Sequence, residues 1–542
     1  MNLKPTLVVA SLAALACGVV QAQSASAVSP SPSVSASASS AAPTSATFTL
    51  RSVAFRGNAA LDDATLAQIA APYLGRDATL ATLERIAADV TAAYKARGYF
   101  LAQALVPQQQ IRDGAVEISV LEGRLGKLKL SVAADAPVSE ARVRAMLAKL
   151  PEGAALEQAS YERTMLLLSD LPGLRVQSGL EQGAQTGTTD LVVEVSPSDK
   201  RWQASIDADN YGTEVSGRER ASLTARLMSP LGLADNLDLR LMRTFSGDQT
   251  FGRVSYELPL GYSGLRGGVG YSRVGYELGA QYAALGATGT ANVADVSLVY
   301  PVLRSRTTNL FARASYERKT LHDETSAVEL NTDKRVDAVN LAFNWESRDA
   351  LLGGGYVNAA FSAYHGRLRI DDAVTRELDQ DDTLGHRTAG SYSKVNLQVS
   401  RLQALFGRHN LFVSLIGQWS DRNLDASEKL ALGGDRAVRA YPSGEVLVDQ
   451  GLIGSAEWRW SATDDLVLSA FFDIGHGDLW RDPIAIDTRN TRTLRGPGLG
   501  VSWSAPYGIN LQGAIAWRRG EAPVSETGND DPRLLVQLRK TF

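Results

Sequence analysis

Ala221-Ser-Leu-Thr-Ala-Arg-Leu227, followed shortly by Leu237-Asp-Leu-Arg-Leu241, shows the pattern that fills most of this chain: apolar and polar residues alternate one for one. Successive side chains of a β-strand point to opposite faces, so this spacing predicts strands with one apolar face and one polar face. The alternation continues from Arg201 to Phe542, where no helical spacing interrupts it. Residues 199–542 are therefore predicted to form an all-β region.

Two architectures use such strands, and the sequence favours the membrane one. In a soluble sandwich or barrel, the apolar faces pack against one another and the polar faces lie outside. Here the strands reach about ten residues or more, the alternation covers most of the chain, and the chain ends in the strand Arg533–Phe542 with a terminal aromatic residue. These are features of transmembrane β-barrels. Charged residues of the polar face, such as Asp207 and Arg226, would then line a watery lumen.

The number of alternating segments predicts a transmembrane antiparallel β-barrel of about 16 strands, an even number that suits a single-chain bacterial barrel. Short connections are expected at the periplasmic rim and long connections outside. The predicted strands cover residues 201–210, 219–229, 235–245, 250–259, 264–275, 293–301, 307–319, 334–346, 353–366, 388–401, 408–419, 449–460, 465–475, 494–504, 508–518 and 533–542.

The N-terminal region predicts export. Residues 1–22 combine Lys4, an apolar run and a small-residue cleavage site at Ala22, which is the pattern of a secretory signal peptide. The run is too short to cross a bilayer as a helix. Residues 23–46 are almost wholly Ser, Ala, Pro and Val, so they are predicted to be a disordered linker that cannot bury a core. Cleavage after Ala22 removes Cys17, the single cysteine of the sequence.

Between this linker and the barrel, one β-α-α-β-β unit occurs twice, over residues 47–124 and 125–198. In the first unit, Leu83, Ile86 and Val90 recur at helical spacing, and Gly98 ends the helix. A repeat of similar length indicates a duplicated small α/β domain. The sheet of such a domain leaves an edge strand free, and a free edge can add an extended peptide as a further strand.

One predicted outer loop, residues 421–448, differs from a surface loop in composition. Gly433, Gly434 and Gly444 permit positive φ angles, and Pro442 cannot donate to a strand ladder, so the backbone is expected to bend sharply. We expect this loop to fold back into the barrel. A second glycine-rich stretch, Gly496-Pro-Gly-Leu-Gly500, has no helix after it and is interpreted as a thinned strand face that lets the loop approach.

The loop carries Val438-Arg-Ala-Tyr441, and a later strand carries Phe471-Phe-Asp-Ile-Gly475. If the two neighbours of Asp473 face lipid, its carboxylate points into the lumen. A planar guanidinium binds a carboxylate through two hydrogen bonds. Arg439 and Asp473 are therefore predicted to pair inside the barrel.

These features together resemble a known family. Four motifs of the first α/β unit are similar to a polypeptide-transport-associated (POTRA) domain of the hemolysin-secretion type: Tyr94-Lys-Ala-Arg-Gly-Tyr99, Leu105-Val-Pro-Gln108, Asp113-Gly114 and Val120-Leu-Glu-Gly123. The motif residues taken from this likeness are Tyr94, Arg97, Gly98, Tyr99, Pro107, Gln108, Glu122 and Gly123. The loop residues Val438, Arg439, Ala440 and Tyr441, with Phe471, Asp473 and Gly475, resemble the signature pair of POTRA-barrel transporters. That family has Gly where this chain has Ala440.

The whole arrangement resembles the two-partner secretion transporters of the hemolysin-activator and filamentous-hemagglutinin type. The likeness implies an outer-membrane protein with periplasmic POTRA domains that capture an unfolded, adhesin- or hemolysin-like exoprotein and pass it through the barrel. It implies no cofactor, contact with membrane lipid, and assembly by the barrel assembly machinery, for which Phe542 is the expected recognition signal. An assembly factor that inserts other barrels and a passive porin are the alternatives.

Other function classes fit the sequence poorly. A net charge of −4 does not provide the basic field that nucleic-acid binding needs. The five histidines are scattered without metal-ligand spacing, so no metal is expected. The chain lacks a Gly-x-Ser-x-Gly elbow, a His-Glu-x-x-His motif and a phosphate-binding loop, which argues against an enzyme.

Overall fold

The computed structural model of the chain describes residues 47–526 and 530–542. The predicted signal peptide (1–22), the predicted linker (23–46) and Cys17 lie outside these residues. The chain forms two compact units, an α/β unit and a barrel. Among the described residues, no helix has the length and apolar character that a membrane crossing needs.

The first half of the α/β unit follows the predicted β-α-α-β-β order, with two additional short strands. Its parallel strands β2 and β5 pair, and β4 lies antiparallel on the other side of β5. The long helix α2 begins at a capping box formed by Thr79 and Thr82 and buries Leu83, Ile86 and Val90 against this sheet. The elements are β1 (Phe48–Thr49), β2 (Ser52–Arg56), α1 (Asp63–Ala70), β3 (Asp77–Ala78), α2 (Leu80–Ala96), β4 (Gln103–Leu105) and β5 (Ala115–Leu121).

The second half repeats the same order. Its sheet has the strand order β6-β8-β7, so β8 is central, and β6 and β7 lie at the two edges. Val143, Leu147 and Leu168 from the two helices are fully buried, as are Leu191 and Val193 of the central strand. The elements are β6 (Arg124–Val132), α3 (Glu140–Leu147), α4 (Gln158–Ser169), β7 (Leu174–Gln182) and β8 (Thr188–Pro197).

The rest of the chain forms one closed antiparallel barrel of 16 strands, which confirms the predicted fold class and strand number. The barrel strands are β9 (Trp202–Asp209), β10 (Arg220–Met228), β11 (Asn236–Thr244), β12 (Gln249–Pro259), β13 (Arg266–Glu277), β14 (Ala287–Arg304), β15 (Thr308–Thr325), β16 (Leu330–Asp349), β17 (Gly355–Ile370), β18 (Gly390–Ala404), β19 (His409–Ser420), β22 (Gln450–Ser461), β23 (Leu466–Asp478), β24 (Thr491–Ala505), β25 (Ile509–Ala516) and β26 (Arg533–Thr541). Two short strands, β20 (Leu430–Ala431) and β21 (Leu447–Val448), pair with each other and are not part of the barrel wall. Helix α5 (Ala373–Gln380) follows β17.

The alternation that predicted the barrel also separates its two faces. On β23, Phe472 and Ile474 are 45 % and 41 % exposed, whereas their neighbours Phe471 and Asp473 are 5 % and 1 % exposed. The exposed apolar side chains form the face toward lipid, and the buried ones point inward. Asp473 therefore faces the lumen.

Strands β14 to β16 are longer than predicted. The predicted strand 307–319 extends to Thr325, and the strand predicted to begin at residue 334 begins at Leu330. The added residues, such as His322 and Asp323, are polar on both faces because this part of the strand lies beyond the apolar band. Backbone pairing continues there without the alternation from which the strands were predicted.

The barrel closes where its first strand meets its last. Strand β26 pairs with β9 over five residue pairs, from Gln537 with Asp209 to Thr541 with Ser205, fewer than in any other ladder of the barrel. The Asn210 side chain lengthens this seam, because its amide accepts from the Val536 backbone at 2.8 Å and donates to the Leu534 carbonyl at 2.9 Å.

Candidate functional site

The connection between β19 and β22 turns back into the barrel. It begins with a segment that contains the 3₁₀ turn Ala426–Glu428, continues through the paired strands β20 and β21, and between them forms a compact turn. We call residues 421–429 the strap and residues 432–445 the tip. Both parts are largely buried, as the sequence-based expectation of a folded-back loop requires.

Arg439 at the tip binds two carboxylates of the lumen wall. Its Nε and Nη2 donate to the two oxygens of Asp473 at 2.8 and 2.9 Å, and its Nη1 donates to Glu457 at 2.8 Å. Its backbone amide also donates to Asp473 at 3.2 Å, and Ser455 Oγ donates to Asp473 at 2.7 Å. Burial alone lowers the pKa of Arg439, but Asp473 and Glu457 outweigh it, and the pKa rises. The guanidinium is therefore a permanent charge.

Phe471 completes the arginine site from the opposite side. Its ring centroid lies 3.2 Å from the Arg439 guanidinium carbon, a cation–π contact in a water-poor place. The ring needs Gly498 on the next strand, because a Cβ there would stand 2.1 Å from Phe471 Cζ. Gly475 also lies close to the tip, since an added Cβ would lie 3.1 Å from Val438 Cγ2.

Ala440, which replaces the family's glycine, fits without strain. Its φ is not positive, so the backbone does not require glycine there. Its methyl group points at Gly496, where an added Cβ would lie only 2.6 Å away. Gly496 thus provides the close approach that was predicted for this glycine-rich stretch.

The remaining tip residues fix it to several parts of the barrel. Val438 and Tyr441 are buried in an apolar cluster with Leu432, Ile453, Phe471, Leu494 and Ala516. Ser443 Oγ donates to the Tyr211 carbonyl at 2.8 Å, just beyond β9. The Glu445 carboxylate accepts from the backbone amides of Val524 and Ser525 at 2.9 and 3.1 Å, in the connection between β25 and β26.

In the α/β unit, Glu122 is a predicted motif residue whose carboxylate binds a second one, Tyr94. One oxygen of this buried carboxylate accepts from the backbone amides of Ala59 and Ala60, both at 2.6 Å, and from Tyr94 Oη at 3.0 Å. The other oxygen accepts from Arg124 at 3.0 Å. Burial, together with the hydrogen bond to Glu122, raises the pKa of Tyr94.

Other motif residues shape the backbone around this carboxylate. Gly98 and Gly123 both have positive φ, and a Cβ on Gly123 would collide with Leu101. Tyr99 packs edge-to-face against Tyr94 with ring centroids 5.9 Å apart. Arg97 and Gln108 are exposed and Pro107 is half-buried, and Arg97 lines a cavity with Ala59 and Ala60, whose amides bind Glu122. The carbonyl of Gly98 accepts from the Gln158 amide at 2.9 Å and so joins the first domain to the second.

Phe542 extends the barrel seam by one backbone contact. Its amide donates to the Ala204 carbonyl at 2.9 Å, and its ring is 45 % exposed. The Lys540 ammonium lies 5.5 Å from the ring centroid. The terminal aromatic is thus held by its backbone while its ring faces outward.

Two family models match this chain. Residues 187–503, more than half of the sequence, match the family of haemolysin secretion/activation proteins ShlB/FhaC/HecB. The chain belongs to this family. Residues 48–123 separately match the ShlB-type POTRA domain, which agrees with the first α/β domain described above.

Individual relatives are similar along most of their length. The heme/hemopexin transporter protein HuxB of Haemophilus influenzae (strain 86-028NP) is 25 % identical over 460 residues, 82 % of this chain and 79 % of the relative. The outer membrane transporter CdiB of Dickeya dadantii (strain 3937) is 24 % identical, covering 87 % and 82 % of the two chains. The solved structure of CdiB from Escherichia coli superposes with a TM-score of 0.71 at 21 % identity, covering 92 % and 91 %.

This family membership settles the general role. The chain is an outer-membrane β-barrel transporter of the two-partner, type V secretion class, and its POTRA domains lie in the periplasm. The family is one of transporters that export a partner protein. The predicted alternatives, an assembly factor and a passive porin, are not the class to which these comparisons assign it.

Sequence reasoning missed a second set of contacts in this transporter. Three lysines of the barrel wall bind two carboxylates of the strap, Asp425 and Glu428. The lysines are Lys319 on β15, Lys334 on β16 and Lys394 on β18. Each stands at an inward position of its strand, so the alternation identifies all three as lumen residues. Their convergence on one segment depends on strand register, which the sequence does not display.

Proposed function

We propose that this transporter captures its partner exoprotein in an unfolded state with the POTRA domains, passes it through the barrel lumen, and uses the folded-back loop as the element that controls the passage. The observation that carries this proposal is the Arg439 site. A partly buried arginine bound to Asp473 and Glu457 holds a loop inside the conduit where a porin would have open water. The loop is therefore assigned a role in transport.

The edge strands of the α/β unit support the capture step. In both POTRA sheets the central strand is flanked by edge strands, and β7 presents mostly exposed residues along its nine-residue length. An extended polypeptide adds to such an edge through backbone hydrogen bonds, which do not depend on its side chains. This mode suits a long unfolded substrate of varied sequence, such as an adhesin- or hemolysin-like exoprotein.

Directionality then has to come from the substrate. The proposed mechanism uses neither ATP nor a cofactor, because the exoprotein folds once it emerges and cannot return through the lumen as a folded protein. The free energy of folding outside thus makes each exported segment irreversible. The POTRA domains keep the next segment extended until it enters the barrel.

The test is reconstitution with the protein encoded by the neighbouring reading frame. The full-length transporter in lipid vesicles is expected to move that exoprotein, supplied in urea and diluted, into a protease-resistant form on the far side. The same vesicles are expected to leave unrelated barrel proteins folding at their unassisted rate. Faster folding of many barrels would indicate an assembly factor, and passage of small solutes alone would indicate a porin.

Phe542 is proposed to act in biogenesis. Its ring is partly exposed beside the seam, where the barrel assembly machinery can contact a terminal aromatic residue. Phe542→Ala is expected to lower the amount of assembled barrel in the outer membrane severalfold, while the barrels that do assemble secrete normally. An unchanged amount of heat-modifiable barrel on gels would contradict this role.

A further inference from the structure

The folded-back loop is attached to the barrel at two separate places. The strap carboxylates pair with lysines of β15, β16 and β18, and the strap also contacts Gln418 of β19 and Asp449 at the loop's own root, whereas the tip pairs with β22 and β23 and packs against β24. The loop itself leaves the wall between β19 and β22. The two attachments therefore lie on opposite sides of the loop's own root, and the chain between them crosses the inside of the barrel.

The strap is attached mainly through charge. Glu428 accepts from Lys319 Nζ at 2.6 Å and lies 2.8 Å from Lys394 Nζ, and Asp425 accepts from Lys334 Nζ at 2.7 Å. All five side chains are at most 16 % exposed. The apolar contribution of the strap is Leu424, which packs beside Tyr392 and Leu368. A carboxylate and a lysine removed from this contact are both well hydrated by water.

Two neighbouring outer connections hold the strap through polar contacts as well. Asn423 donates to the carbonyls of His386 and Asp482 at 2.8 and 2.9 Å, and the Asp482 amide donates back to Asn423 at 2.7 Å. The Lys429 ammonium lies 3.2 Å from the centroid of the Trp480 ring. Water can replace each of these hydrogen bonds and hydrate the ammonium.

The tip is attached in a different way. Val438, Tyr441 and Leu432 are at most 1 % exposed and pack into an apolar cluster. Water cannot replace those contacts, because exposing apolar surface is unfavourable. Arg439 adds a two-point grip on Asp473, whose geometry fixes the position of the tip.

We propose that the strap is the part of the loop that releases during transport, while the tip stays bound at Arg439. Release of the strap opens the lumen along β15 to β18 and separates three lysines of that wall from the strap carboxylates. This proposal rests on the proposed function, in which the lumen is the conduit of the exoprotein. It assigns Asp425 and Glu428 as positioning residues that keep the resting loop across the lumen.

The two halves of the loop can be probed with single cysteines. Ser427 in the strap and Leu432 at the tip are 7 % and 0 % exposed, so their thiols are similarly hidden when the loop is docked. We would introduce Ser427→Cys and Leu432→Cys separately, since the single native cysteine, Cys17, lies in the predicted signal peptide. The reaction of each full-length protein with a charged, membrane-impermeant thiol reagent is then followed in lipid vesicles.

The strap cysteine is expected to react at least tenfold faster than the tip cysteine, with equal rates for both after unfolding in urea. Glu428→Gln is expected to raise the rate at the strap at least fivefold and to leave the tip rate within twofold. The matched variant Arg439→Lys keeps the charge but loses the two-point grip, and it is expected to raise the tip rate. A charge exchange that combines Glu428→Lys with Lys394→Glu is expected to restore part of the strap protection, which a purely steric role of Glu428 would not produce.

A tip cysteine that reacts as fast as the strap cysteine, or faster, would overturn the proposal, as would equal acceleration of both by Glu428→Gln. These rates are measured without exoprotein. If the tip cysteine reacts faster than the strap cysteine, the proposed function still stands. Loss of exoprotein transport in the reconstitution would overturn that function, whichever part of the loop is released first.

Discussion

Replacement of Arg439 with alanine is the sharpest perturbation of the proposed transport loop. The side chain of Asp473 is 1 % exposed and would lose both guanidinium hydrogen bonds, retaining Ser455 at 2.7 Å. Glu457 would keep its ion pair with Arg459 at 2.8 Å, so Asp473 is the carboxylate that loses most of its stabilisation. Removing one partner of a buried ion pair costs about 3–5 kcal/mol. At about 1.4 kcal/mol per tenfold, the ratio of docked to undocked tip falls by roughly 10² to 10⁴.

The assay compares secretion with assembly in the same cells. Arg439→Ala is expected to reduce secretion of the cognate exoprotein at least tenfold, while the heat-modifiable barrel remains in the outer membrane at the wild-type amount. Arg439→Lys, which retains one charge, is expected to secrete an intermediate amount.

A double variant separates charge from shape. Asp473→Asn removes the carboxylate that Arg439→Ala would leave unpaired, so the combined variant is expected to protect the tip better than Arg439→Ala alone, as measured by modification of a cysteine at Leu432. The reasoning is refuted if Arg439→Ala secretes normally from an assembled barrel. It is also refuted if the combined variant protects the tip no better than the single one.

Three further outcomes can be measured. Burial opposes ionisation of Glu428, but Lys394 and Lys319 lower its pKa from 4.5 to about 2, so its contribution to docking is complete above about pH 4.5 and is lost as pH falls toward 2. Thiol reagents attack the thiolate, whose fraction falls with pH, so each strap rate is divided by the rate of the urea-unfolded protein at the same pH. This ratio should rise as pH falls toward 2 in wild type and rise less in Glu428→Gln, which retains the pair of Asp425 with Lys334. Gly498→Val places a side chain where Phe471 lies, and we expect a lower thermal midpoint of the barrel and reduced secretion. Gly513→Val is the milder control, because the nearest atom to an added Cβ there is Val501 Cγ1 at 3.3 Å. Glu122→Ala leaves the amides of Ala59 and Ala60 without their acceptor, which costs about 2–4 kcal/mol of folding free energy. Hydrogen exchange of the α2 amides should become correspondingly faster, whereas the control Glu84→Ala, at an exposed position, should leave it unchanged.

The barrel could be predicted because lipid imposes a period of two on every strand. Within the bilayer, residues such as Phe472 and Ile474 must be apolar, and the alternation marks each strand. Beyond the apolar band that requirement ends, and the outer parts of β15 and β16 near His322 are polar on both faces. The sequence therefore predicted the number of strands but underestimated the length of several.

The pairing of Arg439 and Asp473 could be predicted from the sequence for a similar reason. Strand parity places Asp473 inside the barrel, and the glycine-rich composition of the loop predicts that it turns inward. Glu457, the third member of the site, lies on the adjacent strand and shares the inward parity. Nothing in its local sequence distinguishes it from other lumen carboxylates, so its role appears only when the loop is in place.

The contacts between the strap and the lysines of the wall could not be predicted from local sequence patterns. Lys319 and Lys394 are 75 positions apart in sequence, and their inward parity is visible, but the height at which each stands in the lumen depends on the stagger of the strands. Glu428 lies in a loop whose path no periodicity describes. Register and loop path together create this site, and neither is a property of a short stretch of sequence.

The contacts of the tip beside the first and the last barrel strands have a consequence for biogenesis. Ser443 reaches the connection after β9, and Glu445 reaches the connection before β26, so the tip joins the two sides of the five-pair seam. Strand β26 is synthesised after all the other barrel strands. The tip can therefore complete its contacts only after the final strand has arrived. A docked loop therefore indicates that all barrel strands are in place. A barrel that lacks its last strand would expose the loop to proteases.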